Sequence, residues 1–203
     1  MHESDIAQAD RQRHRWATAI SNVTMPPIVA SLTFVLINYT VSSGSSFVGL
    51  TLLTTLFAAV VAFGSLAVWT LRTRAHGIDI DEGAGRRHWL LLSTVSYFIG
   101  TAILLLIRAP PLIAVVTFGY GAVMLVIFFI NLRWKISGHS MGIAVPTTVL
   151  AFVFGPWGLL CGLLLPPVIW SRVYLKKHTI AQALAGAVVS FVLMGLILVL
   201  LLP

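Results

Sequence analysis

Apolar residues in this chain come in blocks, not in alternation with polar ones. Seven blocks stand out, at about 26–43, 47–71, 89–107, 111–131, 141–154, 157–170 and 179–202. A membrane-crossing helix needs roughly 20 apolar residues to cover about 30 Å of hydrocarbon. Only helices and closed barrels satisfy their backbone there. Strand-like alternation is missing, so the pattern predicts an all-α integral membrane protein, a bundle of six to seven transmembrane helices. Its breaks are turn-forming: Ser-Ser-Gly-Ser-Ser at 42–46, Ala-Pro-Pro at 109–111 and Gly-Pro-Trp at 155–157.

Two blocks are short. At 1.5 Å per residue, 141–154 and 157–170 each cover only about 21 Å. They form either one kinked helix or a hairpin turning at Gly155-Pro156. The hairpin is preferred, because it brings the flanking polar segments to one face. The chain divides into a polar or interfacial N-terminal segment, 1–25, and a transmembrane domain, 26–203. Within the first, residues 6–20 form either an interfacial helix resting on Ile6, Trp16 and Ile20 or a solvated tail. The start of the chain is polar and mixed in charge, unlike a cleavable signal peptide.

Charge adds an orientation. Of 203 residues, 58% are hydrophobic and 9% charged, and the net charge is +7. With seven crossings, one face collects the N-terminus, 72–88, 132–140 and 171–178, and with them 12 of the 13 Lys and Arg residues. The exception is Arg108. The positive-inside rule makes that face cytoplasmic, and the ratio survives removal of the candidate site cations. Cations at membrane edges account for the charge without nucleic acid. The single cysteine, Cys161, has no partner for an internal disulfide, and no metal-ligand spacing is visible.

Three polar segments share the basic face: 76–89, 134–140 and 171–182. Read as a helix, the third places Ser171 and His178 on one side, with Gln182 one turn beyond His178. The Gln182 amide oxygen then accepts the His178 N–H, which fixes the tautomer and frees the other ring nitrogen as a nucleophile. Arg172 offers a planar fork for phosphate oxygens. In the second segment Ser137-Gly138-His139 opens a helix, whose N-terminal N–H groups attract anions. Gly138 admits a ligand close to the backbone, and His139 can protonate a leaving oxygen.

Ser137-Gly138-His139, and Ser171-Arg172 followed five residues later by His178, resemble the second and third motifs of the type 2 phosphatidic acid phosphatase superfamily. Leu184-Ala185-Gly186 adds a run common there, so the resemblance covers about 134–187. These are integral-membrane, metal-independent phosphatases of lipid phosphates and prenyl diphosphates. The resemblance implies no cofactor, His178 as a nucleophile passing through phosphohistidine, and His139 as the general acid. It puts Arg172, Ser137 and Gly138, beside Ser171, on phosphate. There are departures. Ile136 stands for the family's proline and Gln182 for its aspartate. The first motif, Lys, six residues, Arg-Pro, is not present as such. Aligning its arginine with Arg86 leaves Asp79 at the lysine position and Arg87 at the proline. Arg86 and Arg87 are therefore candidate phosphate ligands. Lys135 is a candidate substitute for the lysine, and Asp79, Asp81 or Glu82 for the carboxylate.

The expected partners are the bilayer and a phosphorylated lipid or prenyl substrate. Two alternatives stand beside the phosphatase: a non-catalytic binder of lipid phosphates and a lipid phosphotransferase. A channel is disfavoured because the blocks hold almost no ionisable residues. Lys176 and Lys177 read as interfacial anchors, as do Trp16, Trp89, Trp134 and Trp170. Gly119, Gly121, Gly142 and Gly186 read as points of close helix packing.

Overall fold

A long apolar run has one local way to pair all its backbone polar groups, the i to i−4 ladder of a helix. The computed structural model describes residues 3–60, 64, 67, 68, 71 and 83–202, and every element among them is helical. In chain order these are α1 (Glu3–Val23), α2 (Pro26–Val41) and α3 (Gly44–Thr55), which runs into a wider turn at Leu56–Val60. Then come α4 (Gly83–Leu106), α5 (Pro111–Asn131), α6 (Gly138–Phe154), a 3₁₀ stretch at Gly155–Leu164, α7 (Leu165–Tyr174) and α8 (Ile180–Leu201). Proline opens both α2 and α5, where its missing N–H costs no helical bond.

The described elements meet at two ends of a bundle. At one end Arg86 of α4 donates to Asn131 of α5, and Ser21 of α1 meets His139 and Arg172. At the other end the turn at Ser42, Ser43 and Ser46 lines a pocket with Ile107, Arg108 and Pro110. Arg108 thus lies apart from the other described cations discussed below.

Among the described residues, four helical stretches are long and apolar enough to cross a membrane: Gly85–Leu106, Pro111–Asn131, Gly138–Tyr174 and Ile180–Leu201. A fifth arises if α1 and α2, bent by 47°, count as one. This is fewer than the six to seven that the pattern predicts. The block at 26–43 yields only the 16-residue α2. The block at 47–71 yields the 12-residue α3, and much of its remainder lies outside the described residues. The two short blocks fall together in the 37-residue stretch Gly138–Tyr174.

That stretch is not straight. Gly155 takes φ 60° and ψ −140°, a conformation that only glycine adopts readily. Beyond it the chain returns along α6. A Cβ on Gly158 would overlap the backbone of Leu150 and Ala151, and one on Gly162 would lie 3.2 Å from Thr147 Cγ2. In a straight helix residues 150 and 158 would be about 12 Å apart. The preferred hairpin is therefore what the chain forms, and it returns Arg172 to the end where α6 begins.

Between α2, α4 and α5 the core is aromatic. Tyr97 stacks on Tyr120 at 5.2 Å, and Phe34 lies 5.5 Å from Tyr120. Polar groups join α2 to α3, where Asn38 Nδ2 donates to Thr51 and Thr54 at 3.2 Å each. Two glycines let helices touch. A Cβ on Gly142 would lie 2.9 Å from Pro26 Cα, and one on Gly186 would lie 2.5 Å from the Ser137 carbonyl oxygen. Apolar helices in lipid gain little from hydrophobic burial against each other, so such close approach carries the packing.

Gly186→Ala should therefore destabilise the fold by about 1–3 kcal/mol, because backbone has to move. Gly49→Ala, whose Cβ meets nothing within 4 Å, should show no loss. Thermal unfolding of both variants in one detergent checks the contrast.

Candidate functional site

The Ser137-Gly138-His139 segment opens a helix, as its residue types suggest. Ser137 is the N-cap of α6, and its side chain accepts from Ser140 N at 3.3 Å. The Ser137 N–H donates to the Gln182 carbonyl at 3.1 Å. The start of α6 is thus tied to the first turn of α8, and Gly186 leaves room for the approach. A Cβ on Gly138 would meet nothing within 4 Å, so there is open space beside the N-terminal turn of α6.

The third polar segment is not one helix. α7 stops at Tyr174 and α8 starts at Ile180. Lys177 N donates to Arg172 O at 2.9 Å and Lys176 N to Val173 O at 3.0 Å, while Lys176 has φ 56°. This is a Schellman turn, with lysine where glycine is usual. It corrects the expected face shared by Ser171 and His178. Ser171 stays fully buried in α7 and donates to its own helix, at Val168 O, 2.9 Å.

Gln182 is the second correction. Its Oε1 accepts from Thr179 N at 3.0 Å, and its N–H donates to Thr179 Oγ1 at 3.2 Å. This capping box starts α8. The amide oxygen is engaged there and does not orient His178.

His178 sits in the turn between the two helices, 6% exposed, with its Nδ1 buried and without a hydrogen-bond partner. Burial first, and then the charges of Arg86, Arg172, Lys135 and His139, pull its pKa from 6.5 down to about 3. Those four side chains come from α4, α7, the 132–137 connection and α6. The bundle therefore gathers four of the residues singled out in the sequence around one neutral imidazole, itself the fifth.

The cations have structural ties as well. Arg86 donates through Nη2 to Ile136 O at 2.7 Å and through Nε to Asn131 Oδ1 at 3.1 Å, which fixes the connection leading into Ser137. Arg87, the next residue, is exposed. It lies about 100° further round α4, and the structure does not bring it to the cluster. Arg172 is 1% exposed, and its Nη1 donates to Ser21 Oγ at 2.7 Å. His139 Nε2 lies 3.2 Å from the Ser21 carbonyl oxygen and 3.4 Å from Ser21 Oγ. A carbonyl only accepts, so this nitrogen carries a hydrogen.

Ser21 and Asn131 did not stand out in the sequence. Asn131 is a lone amide closing an apolar run. Ala17, Ser21 and Thr24 are small residues at helical spacing in a charged segment, and all three are buried, so that stripe was the signal. α1 is a docked helix, with Ile20 half-buried while Ile6 and Trp16 are exposed. Asp79, Asp81 and Glu82 lie outside the described residues. Among the described residues no group of three or more His, Cys, Asp or Glu side chains is placed to hold a metal ion.

An apolar groove of about 750 Å³ is lined by Gly162, Pro166, Trp170 and Tyr174 on one side and by Ile180 and Leu184 on the other. His178 lies in the turn that joins these two walls.

The chain matches no family model, no curated protein and no solved structure.

Two outcomes test the corrected geometry. Gln182→Ala should cost about 1 kcal/mol through the lost cap, while Gln182→Glu, which can close the same box, should cost little; thermal unfolding reads both. His178 refuses in the folded state a proton that it accepts when unfolded. Its contribution to stability is complete above about pH 6.5 and is lost as pH falls from there toward about 3. The slope is at most about 1.4 kcal/mol per pH unit. His178→Gln should flatten that part of a denaturant-midpoint profile.

Proposed function

We propose that this protein is a multi-pass membrane phosphatase, independent of metal, that hydrolyses a lipid phosphate or prenyl (di)phosphate through phosphohistidine. One observation carries the reading. Two histidines from segments nearly 40 residues apart, with Arg172, Arg86 and Lys135, converge at the open N-terminus of α6. The residues carry the resemblance to the type 2 phosphatidic acid phosphatase superfamily, and their convergence supports it.

In this mechanism His178 is neutral at working pH and can attack. A ring nitrogen forms a bond to phosphorus, and the bond from phosphorus to the lipid oxygen breaks with its electron pair. Protonated His139 gives that oxygen its proton. Water then attacks phosphorus and passes a proton back to His139. The phosphorus–nitrogen bond breaks, its electrons return to His178, and inorganic phosphate leaves. The cations and the α6 N–H groups stabilise the charge spread over the transferring oxygens. Ser137 holds the helix start and Gly138 leaves the space. Arg87, Ser171 and Gln182 play no direct part.

The apolar groove supports a lipid substrate, since it offers a hydrocarbon chain a place between the two helices that the His178 turn joins. The reversal at Gly155, which divides Gly138–Tyr174 into two arms, favours a count of six to seven crossings, and the gathered cations favour a site on the basic, cytoplasmic face. The non-catalytic binder and the phosphotransferase remain the competing readings. Gln182 in place of a carboxylate favours the first, because nothing at that position steadies an imidazolium.

The deciding experiment is phosphate release by purified protein in detergent with EDTA. Phosphatidate, phosphatidylglycerophosphate and a prenyl mono- and diphosphate are offered in turn. Release should vanish in His178→Ala and fall about 10²–10⁴-fold in His139→Ala. Gly138→Ala should unfold at the wild-type temperature yet raise KM, since its methyl enters the empty space. Release that persists in His178→Ala sinks the proposal. Phospholipid binding without turnover transfers the reading to the non-catalytic binder, and acceptor-dependent turnover with little free phosphate to the transferase.

A further inference from the structure

The two donors that the proposed reaction needs are both held by one residue of the N-terminal helix. Arg172 Nη1 is 2.7 Å from Ser21 Oγ, and His139 Nε2 is 3.2 Å from the Ser21 carbonyl oxygen. Two oxygen atoms of Ser21 thus stand where two oxygens of a phosphate ester would stand. Arg172 is 1% exposed, His178 6% and Ser21 5%. Ser21 covers the Nη1 of this guanidinium, and an anion that takes that nitrogen has to displace it. The Nδ1 of His178 is buried beside them without a hydrogen-bond partner.

Among the described residues, the element carrying Ser21 leans on a single main neighbour. α1 packs chiefly on α7, whereas α6 packs on α2, α7 and α8 together. It joins α2 through Thr24 and Met25, outside both helices, at a bend of 47°. Its outer half is fastened at the surface, where the Tyr174 hydroxyl donates to the Asp10 carboxylate. Exposed Arg11, Arg13 and Arg15 leave its outer face hydrated.

We propose that α1 is a gate over the site, and that Ser21 holds Arg172 and His139 closed in place of a phosphate group. Swinging α1 about Thr24–Met25 takes Ser21 off both donors at once, and a phosphate-bearing ligand replaces it. This rests on the phosphate-site reading above. Its arithmetic is that of a self-competitor: the apparent dissociation constant is the intrinsic one divided by the open fraction. Removing a hydroxyl bonded to a charged partner should raise that fraction about tenfold.

The test uses the full chain in detergent with two readouts. The first is the dissociation constant for inorganic phosphate by calorimetry. The second is the distance between spin labels at Gln12→Cys and Leu132→Cys in a Cys161→Ser background. Ser21→Ala should bind phosphate about tenfold more tightly and show a larger long-distance population without phosphate. Tyr174→Phe, which loosens only the outer fastening, should move both readouts the same way, and saturating phosphate should lengthen the distance in wild type. Unchanged distances in Ser21→Ala and with phosphate overturn the gate, even if affinity rises. Weaker phosphate binding in Ser21→Ala also overturns it, because Ser21 is then part of the ligand set. Distances that lengthen in Ser21→Ala while no variant binds phosphate leave the gate standing and overturn the phosphate-site reading instead.

Discussion

The reversal of the chain at Gly155 is the constraint on which the site depends. Its φ of 60° and ψ of −140° turn the backbone where a side chain would resist. The returning arm then packs so closely that Gly158 has no room for a Cβ beside Leu150. A straight helix from Gly138 to Tyr174 would put His139 and Arg172 about 50 Å apart. The hairpin puts both on one serine. The closing contact is equally tight, with Gly186 against the Ser137 carbonyl. α8 thereby holds its N-terminus, and the His178 turn before it, beside the start of α6.

Within that frame, electrostatics decides what His178 can be. A buried imidazole beside Arg86, Arg172 and Lys135 cannot keep a proton near neutral pH. In the proposed reaction this suits His178 to the part of nucleophile and leaves the part of acid to His139. His139 lies across the cluster with a backbone carbonyl on its Nε2. The two imidazoles thus sit in different surroundings, one buried without a partner on Nδ1 and one against a backbone carbonyl. The same cations that lower the basicity of His178 would welcome the charge of a phosphate.

Much of this was legible in the sequence, and the losses have physical causes. The apolar blocks gave helices because a greasy backbone has no other local solution. Gly155-Pro156 marked the hairpin, since that pair ends a helix and permits a reversal. Span number was less legible, because block length does not reveal where a helix stops, as α2 and α3 show. The third segment was misread for a related reason. Leu175-Lys176-Lys177 contains no glycine, yet Lys176 takes the left-handed conformation, which the favourable hydrogen bonds to Arg172 and Val173 compensate. Thr179-x-x-Gln182 before an apolar run was a readable capping box that a catalytic role for Gln182 obscured. Ser21 lay beyond motif reading, because only the folded contact joins it to residues more than 100 positions away.

The capping box also changes what the glutamine at position 182 means. In the family that the motifs resemble, this position carries aspartate, and an amide there looks like a lost catalytic partner. Here α8 begins only at Ile180, and its free N–H groups need side-chain acceptors. Glutamine has the reach to bond back to Thr179 N, whereas aspartate is one methylene shorter. The residue is spent on starting the helix that seats the Ser137 contact. Orientation of His178 falls instead to its burial and to the turn, whose His178 N–H is held by Arg172 O at 3.2 Å. The fork that binds phosphate in the proposed mechanism and the backbone that holds the nucleophile thus belong to one residue. A substitution at Arg172 would disturb both, so the site's precision rests on how α7 ends more than on any single side chain aimed at His178.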